Sequence, residues 1–351
     1  IGIDFSIYRA NTYDQIMAIT APPGLGVNTV RVNAADVQNT GWELGLRTKP
    51  IFNKNFQWGL DMTFASAQTK VNGLTDDLTS QLLFARNGLN YVAEVGGEYG
   101  TIIQQQGFQN YINPSDDNDP NNGARIVENG GARYAYSRSS NRKVGKLLPD
   151  VTGGAFNRFS YKNFTLVANI DYSFGATFVS EAETYMLAAG VLRESLPFRD
   201  AATGGQAYYI NDEGARVAGT NPGTGATFND GVILDGVRND GTPNTQVVSA
   251  EDYYGSSYFS NGFFPEDRIF KSDYIALRNV SLDYRIPVIA QKMGLSEAVI
   301  SVFANNVAYL YKAAPNSIPE ASNGTGWSAG AFSTTALPLQ RSLGLSLRVK
   351  L

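Results

Sequence analysis

Residues 56–64 read Phe-Gln-Trp-Gly-Leu-Asp-Met-Thr-Phe, with a large apolar side chain at every second position. A period of two sends the two sets of side chains to opposite faces of an extended strand. One face is uncharged and rich in aromatic rings; the other carries Asp61 with no evident counter-ion. Such a strand has one side against lipid and the other against a wet lumen.

The pattern recurs along the chain. Ile1, Ile3, Phe5 and Ile7 alternate with Gly2, Asp4, Ser6 and Tyr8; Trp42, Leu44 and Leu46 alternate with Glu43, Gly45 and Arg47. Phe164, Leu166, Ala168, Ile170, Tyr172 and Phe174 form one face of a third such strand. Val280, Leu282, Tyr284 and Ile286 form another, and Leu343, Leu345, Leu347, Val349 and Leu351 the last. A soluble antiparallel sandwich also alternates. Against it stand charges of both signs on the polar faces and aromatic residues near the strand ends, as at membrane interfaces.

Composition narrows the function classes. The 351 residues carry a formal charge of -4, which offers no basic footprint for nucleic acid. No apolar run is long enough for a membrane-spanning helix. Cysteine and histidine are both absent, which removes disulfides, thiolate chemistry, the commonest general base and the commonest neutral metal ligand. No cofactor is expected. The sequence opens on a strand rather than a leader, so it is expected to be a processed or partial chain.

The alternation predicts eight strands, near 1–9, 38–49, 55–70, 152–161, 164–178, 273–286, 297–307 and 339–351. Short connections at 50–54, 162–163 and 287–296 alternate strictly with long ones at 10–37, 71–151, 179–272 and 308–338. Outer-membrane barrels sort their loops this way, with tight periplasmic turns and long extracellular loops. The expected fold is therefore an all-β transmembrane antiparallel barrel. A closed barrel of eight strands is barely wide enough for its own side chains, and an unclosed one leaves strand edges in lipid. These strands are expected to belong to a wider wall, with 1–351 as its C-terminal portion.

The order of short motifs resembles the C-terminal part of SusC/RagA-like TonB-dependent transporters of Bacteroidetes outer membranes. The resemblance rests on Tyr8-Arg9-Ala10-Asn11-Thr12-Tyr13-Asp14-Gln15-Ile16, Asn39-Thr40-Gly41-Trp42-Glu43-Leu44 and Gly145 to Phe156 with Leu148-Pro149-Asp150. It continues through Phe159-Ser160-Tyr161-Lys162-Asn163-Phe164, Asp230-Gly231-Val232 and Asp235-Gly236-Val237. The most specific stretch is Asp273-Tyr274-Ile275-Ala276-Leu277-Arg278-Asn279-Val280-Ser281-Leu282-Asp283-Tyr284 with Pro287, followed by Asn305-Asn306-Val307, Pro319-Glu320 and Pro338 to Leu351. The chain departs from the family in ending on Lys350-Leu351 instead of an aromatic residue, and in having Glu320 as the one acid of loop 308–338. The resemblance implies a barrel of about 22 strands, with a plug and a TonB-contacting segment upstream. It also implies a SusD-like surface lipoprotein on the long loops, and surroundings of membrane lipid and lipopolysaccharide.

Candidate sites follow from residue type and spacing. Asp117, Asp119, Asn121 and Glu128 fall at positions 1, 3, 5 and 12 of a calcium-loop pattern, but Pro120 lies inside it and Asn122 stands where glycine is needed; an exposed turn is the expected reading. Asn211-Asp212-Glu213-Gly214 and Arg238-Asn239-Asp240-Gly241 are turn signals. Ala182, Tyr185, Met186, Ala189 and Leu192 predict a helix over 180–196, and residues 73–95 offer a weaker second one. The carboxylate pairs Glu181/Glu183 and Asp76/Asp77 are expected in solvated loops, not as acid and base. Asp4, Glu43, Arg47, Asp61, Asp171, Asp283, Arg285, Arg348 and Lys350 are expected to face the lumen as a lateral ion-pair network, some of them touching the plug. Tyr253, Tyr254, Tyr258, Phe263, Phe264 and Trp327 can stack on sugars or peptides, or pack the loops together.

The function expected is TonB-dependent import of glycans or peptides, with no bond in the substrate made or broken. The alternative is a SusC-like barrel serving as a structural subunit of a larger outer-membrane assembly or secretion machine.

Overall fold

Alternation makes a strand with two unlike faces, and pairing register decides whether those faces line up across a sheet. The computed structural model describes residues 1–20, 26, 29–75, 78–86, 88–105, 107–137, 141–255, 268–320, 332–333 and 339–351. Eight strands line up: β1 (Gly2–Thr20), β2 (Thr29–Phe52), β3 (Phe56–Gly73), β4 (Val151–Tyr161), β5 (Phe164–Phe174), β6 (Tyr274–Arg285), β7 (Glu297–Lys312) and β8 (Ser342–Lys350). They form one sheet in chain order, each antiparallel to the next. Among the described residues β1 and β8 pair on one side only, so the sheet is open with two free edges.

Register keeps each face continuous from strand to strand. One row across the sheet reads Trp58, Phe159, Leu166, Leu282, Val302 and Leu345; a row on the other face reads Arg47, Asp61, Phe156, Asn169, Asn279, Asn305 and Ser342. Aromatic rings gather at both margins of the apolar face. At the short-turn end Phe159 lies 5.6 Å from Trp58 and 6.5 Å from Phe56, and Phe164 lies 4.6 Å from Tyr284. At the long-loop end Tyr172 lies 6.2 Å from Phe64 and 5.9 Å from Phe174, which meets Tyr311 at 6.4 Å. From Phe164 to Phe174 the strand runs about 33 Å, which at a tilt of about 40° spans about 25 Å, the height of a lipid-facing band. Asn157, an amide between the two aromatic margins of that face, accepts a hydrogen bond from the Trp58 indole N–H (3.3 Å), so its carbonyl does not meet lipid unsatisfied. Ile3 and Leu345, on the two edge strands, are each 70% exposed, so the apolar face is uncovered there.

Tight turns close the other end. The Asn53 side chain accepts from the backbone N–H groups of Asn55 (3.1 Å) and Phe56 (2.8 Å) between β2 and β3. Lys162 takes φ +51° in the two-residue turn between β4 and β5, the left-handed geometry such hairpins demand. On the polar face Gly344 leaves room for the Phe303 ring, which an added Cβ would meet at 2.2 Å.

Several boundaries differ from the alternation. Residues 10–37, expected as a long loop, are mostly strand, since β1 and β2 pair as far as Thr20 with Thr29. A hairpin standing beyond the bilayer is wet on both sides and needs no apolar face, so Asn11, Thr12 and Gln15 conceal it. A bulge at Asp14 (φ +53°), whose N–H bonds Asp36 Oδ1 (3.2 Å), interrupts the register there. Likewise β3 continues to Gly73 and β7 to Lys312. In contrast β5 stops at Phe174 instead of 178. Gly175 turns to φ +102° against Asp150, whose carboxylate leaves no space for a side chain.

The long connections fold into domains of their own. Ser80–Arg86, Leu89–Glu94, Thr101–Gln104 and Arg142–Lys146 make a four-stranded sheet. The helix weighed over 73–95 is therefore a hairpin. A second sheet comprises Gln206–Ile210, Arg216–Ala218, Phe228–Val232 and Val248–Ser249. The helix expected over 180–196 shortens to α1 (Glu181–Ala188), capped by Ser180, and α2 (Ala250–Gly255) packs nearby. Leu89, Tyr91, Ile102 and Val179 form one buried cluster drawing on two loops; Leu187, Val232, Val248, Ala250 and Tyr254 form another. The last connection on the turn side holds a third helix, α3 (Pro287–Lys292), between β6 and β7.

Candidate functional site

The polar face of the sheet is the surface on which a lumen function has to be built, and its charges are unevenly spread. Near the turns, Lys54, Arg158, Lys162, Arg285 and Arg348 surround a depression of about 220 Å³ that holds only two carboxylates, Asp283 and Glu297. Arg285 Nε lies 3.4 Å from Glu297 Oε1. Across β1 to β3 the balance reverses, with Asp4, Glu43 and Asp61 around Arg47. Arg47 and Asp61 are direct register partners, yet no ion pair joins them. The expected lateral network is thus not continuous. On a wet wall, solvation of separate charges rivals the modest gain of an exposed pair.

One residue outside the expected set organises the long-loop end. Between β5 and β6 the register slips from Asn169↔Asn279 to Ile170↔Leu277, leaving Arg278 as the extra residue of a bulge. Counting back by twos from Val280 would place Arg278 in lipid; the bulge re-aims it to the polar face. Its Nε donates to Asp171 Oδ1 (2.5 Å), its Nη2 to Asp171 Oδ2 (3.0 Å), and the same Nη2 also bonds Glu320. Tyr309 donates its hydroxyl to Glu320 Oε2 (2.6 Å) and Tyr274 to Asp171 Oδ2 (3.3 Å). The guanidinium lies 5.3 Å from the Tyr274 ring and 5.7 Å from that of Tyr309. Glu320, the single acid of the last loop, is therefore spent on fastening that loop to the inner wall. Lys312 adds a bond to the Ser317 carbonyl (3.2 Å). Arg341 and Asn306 line an open depression beside the latch. The sequence did carry a sign of the bulge: apolar parity changes between Leu277 and Val280.

A second fastening sits deeper in the loops. Glu181 and Glu183, expected in solvent, are 1% and 0% exposed. Glu181 accepts two bonds from Arg86, both 2.6 Å. Glu183 accepts from Ser317 Oγ (2.7 Å), which lies 2.5 Å from Ser180 Oγ, and Arg268 stands 3.7 Å from both Glu183 and Glu194. Three long loops meet here through ions that α1 turns inward, while Tyr185 of its expected apolar stripe points out. Burial and the Glu181 charge push the Tyr91 phenol well above its ordinary pKa. Both carboxylates are engaged in contacts between loops. Asp76 and Asp77 lie outside the described residues.

The remaining candidates resolve into turns and packing. Asp119 accepts from Asn113 Nδ2 (2.7 Å) and the Asn121 N–H (2.8 Å), which hold its carboxyl below the usual range. Glu128 pairs with Arg133. Asp117, Asp119, Asn121 and Glu128 do not converge, and among the described residues no three acids are placed to hold a metal ion. Asn211 Oδ1 accepts from the N–H groups of Glu213 (3.1 Å) and Ala215 (2.8 Å), and Asp240 Oδ1 from the N–H of Thr242 (2.9 Å). Tyr254 is turned into a loop core, its hydroxyl donating to the carbonyls of Glu194 (3.1 Å) and Pro197 (3.3 Å), and burial raises its pKa. Tyr253 packs edge-on to Phe198 at 6.1 Å. Tyr258, Phe263, Phe264 and Trp327 lie outside the described residues.

No family model matches the chain. Among curated proteins it is similar to TonB-dependent receptor P39 of Formosa agariphila, at 23% identity over 87% of this chain and 31% of that protein. It is also similar to TonB-dependent receptor P26 of the same species, at 27% identity over 49% of this chain and 18% of that one. Among solved structures, the RagAB peptide importer in its closed-closed state superposes with a TM-score of 0.60 at 14% identity, covering 99% of this chain and 33% of that chain. The open-open state gives 0.60, 14%, 99% and 32%. The chain spans about a third of the length of the first of these relatives and of the barrels it superposes on. These likenesses bear out the transmembrane-barrel fold and the resemblance to SusC/RagA-like TonB-dependent transporters.

Proposed function

We propose that this chain is the C-terminal part of the barrel wall of an outer-membrane importer that takes up glycans or peptides. The observation that carries the reading is the open meander itself. It has a charged inner face, an outer face banded by two aromatic margins, and two strand edges that a bilayer does not tolerate unpaired. Further strands of the same polypeptide complete the wall. A plug fills the lumen and is displaced through TonB by the proton-motive force, and a SusD-like lipoprotein sits on the long loops.

Inner-wall charges have separate parts in this scheme. Asp171 holds Arg278 and through it the last loop. Asp61, Asp283, Arg285 and Arg348 face the plug, with the cation-rich depression around Arg348 receiving its acidic side. Recognition of substrate falls to the loops, plug and lid together, with Tyr258, Phe263, Phe264 and Trp327 as the stacking residues, while Tyr253 and Tyr254 pack the loop core.

Native mass spectrometry of the complex extracted from outer membranes in mild detergent tests the proposal. The expected species is a polypeptide far heavier than 38.0 kDa bound to one lipoprotein. A heavy chain bound to several unrelated partners would point instead to a scaffold, and a free chain of 38.0 kDa would overturn both readings.

A further inference from the structure

The short-turn end carries one apolar surface that the barrel does not use. β2–β3 and β4–β5 are joined by tight turns, whereas β6 and β7 are joined by α3, with Val288 59%, Ile289 44% and Met293 67% exposed. At about 100° per residue, Val288, Lys292, Ile289 and Met293 share an arc of about 140°, with Ala290 and Gln291 outside it. Ala290 is buried, and α3 packs on the start of β7. Ala298, of the outward parity of Ile300 and Val302, is 1% exposed; Val299, of inward parity, is also buried but lines the polar depression, which no residue of α3 lines, and α3 is therefore placed on the outward side of the wall. The helix begins just past Ile286, about 7 Å of strand beyond Tyr284, whose ring belongs to the aromatic margin of the lipid face. Its apolar arc thus continues the lipid-facing surface at the depth of the headgroups.

We infer that α3 is an interfacial anchor, inserting Val288, Ile289 and Met293 into the periplasmic leaflet of the membrane while Lys292 extends its ammonium to lipid phosphate. An amphipathic helix lying in the interface with its apolar side about 5–10 Å deep has this layout, and a lysine in the apolar arc reaches the headgroups along its own alkyl stem. The occupant is a phospholipid leaflet, because the surface is continuous with one that already meets lipid. The inference needs the membrane-barrel fold and is independent of what the barrel transports.

This chain contributes no cysteine, so none of its own residues competes with a single replacement for the nitroxide, and the parent protein without the replacement supplies the labelling background. Ile289→Cys, Met293→Cys and Gln291→Cys would be labelled in the intact protein reconstituted into phospholipid vesicles, with Leu345→Cys as the lipid-exposed reference. Positions 289 and 293 are expected to collide with oxygen several-fold more, relative to a water-soluble nickel chelate, than position 291, and to approach position 345. Nickel accessibility equal at 289, 291 and 293 would overturn the anchor. So would shielding of 289 and 293 from both reagents in native outer membranes, which would put a periplasmic protein on this face instead.

Discussion

The wall and the loops of this chain solve opposite solvent problems. In the loops the large apolar groups are hidden: Leu89, Tyr91, Ile102 and Val179 are each 0% exposed. On the wall they are displayed, with Leu343, Leu345, Leu347 and Val349 all exposed, and polar groups line the inside. A core built for water must pack its own side chains, whereas a wall built for lipid leaves that packing to the acyl chains. Stability therefore depends on close complementarity in one region and on polarity and pairing in the other.

The contrast is most sharply tested by removing the same kind of mass from each region. Ile102→Ala is expected to destabilise the loop domain by about 2–5 kcal/mol through an unfilled cavity, read as earlier proteolysis of residues 74–150 with heat-resistant barrel mobility unchanged. Val302→Ala on the wall, where lipid fills the space, is expected to leave loop protection and barrel mobility near wild type. Equal losses at both sites would end the distinction. Charge reverses the ranking. Val280→Arg, outward in the lipid band, is expected to cost about 2–4 kcal/mol in denaturant titrations of the reconstituted protein. Val191→Arg, on an exposed loop, is expected to stay within about 0.5 kcal/mol.

The two regions are joined by Arg278, and the next effect is smaller. Arg278→Met is expected to release the last loop from the wall at a cost of about 1–3 kcal/mol for the lost charged hydrogen bonds. The expected readout is new protease cleavage within 313–320 and higher single-channel conductance, with the eight-stranded wall intact. Glu320→Gln should reproduce the release more weakly. The smallest effect concerns exposed turns. Hydrogen bonds from Asn113, Asn121 and Thr242 lower the carboxyl pKa values of Asp119 and Asp240. A lowered folded-state pKa stabilises fully above the unfolded value, about 3.9, and the gain is lost as pH falls through the folded value. Amide exchange at Asn121 and Thr242 should therefore be flat from about pH 7 to 5 once corrected for intrinsic rates, and lose protection only below about pH 4. Loss of protection near neutrality would assign the turns to another cause.

Much of the wall was legible because lipid contact imposes a period that no other demand along the strand erases. Phe56 to Phe64 and Phe164 to Phe174 each announce their faces one residue at a time. Where a strand leaves the bilayer the period lapses, and residues 10–20 read as loop although they pair with 29–39. The loop elements were misread for a different reason. Ala182, Tyr185, Met186 and Ala189 have helical spacing, but tertiary contacts bury the opposite side of α1, where Glu183 finds Ser317 far along the chain. The Arg278–Glu320 latch was hidden because its geometry depends on a bulge and a folded-back loop.

By itself the amino-acid order determined that this protein forms strands with one face for lipid and one for water, joined by short turns and long loops alternately. Side-chain period and polarity are local properties, and the bilayer enforces them residue by residue. Only the tertiary structure decided that Arg278 turns inward, that Glu181 and Glu183 are buried among arginines and serines, and that the last loop is fastened to the inner wall. Each of those depends on partners many residues away, whose approach is set by register and by the packing of separate loops.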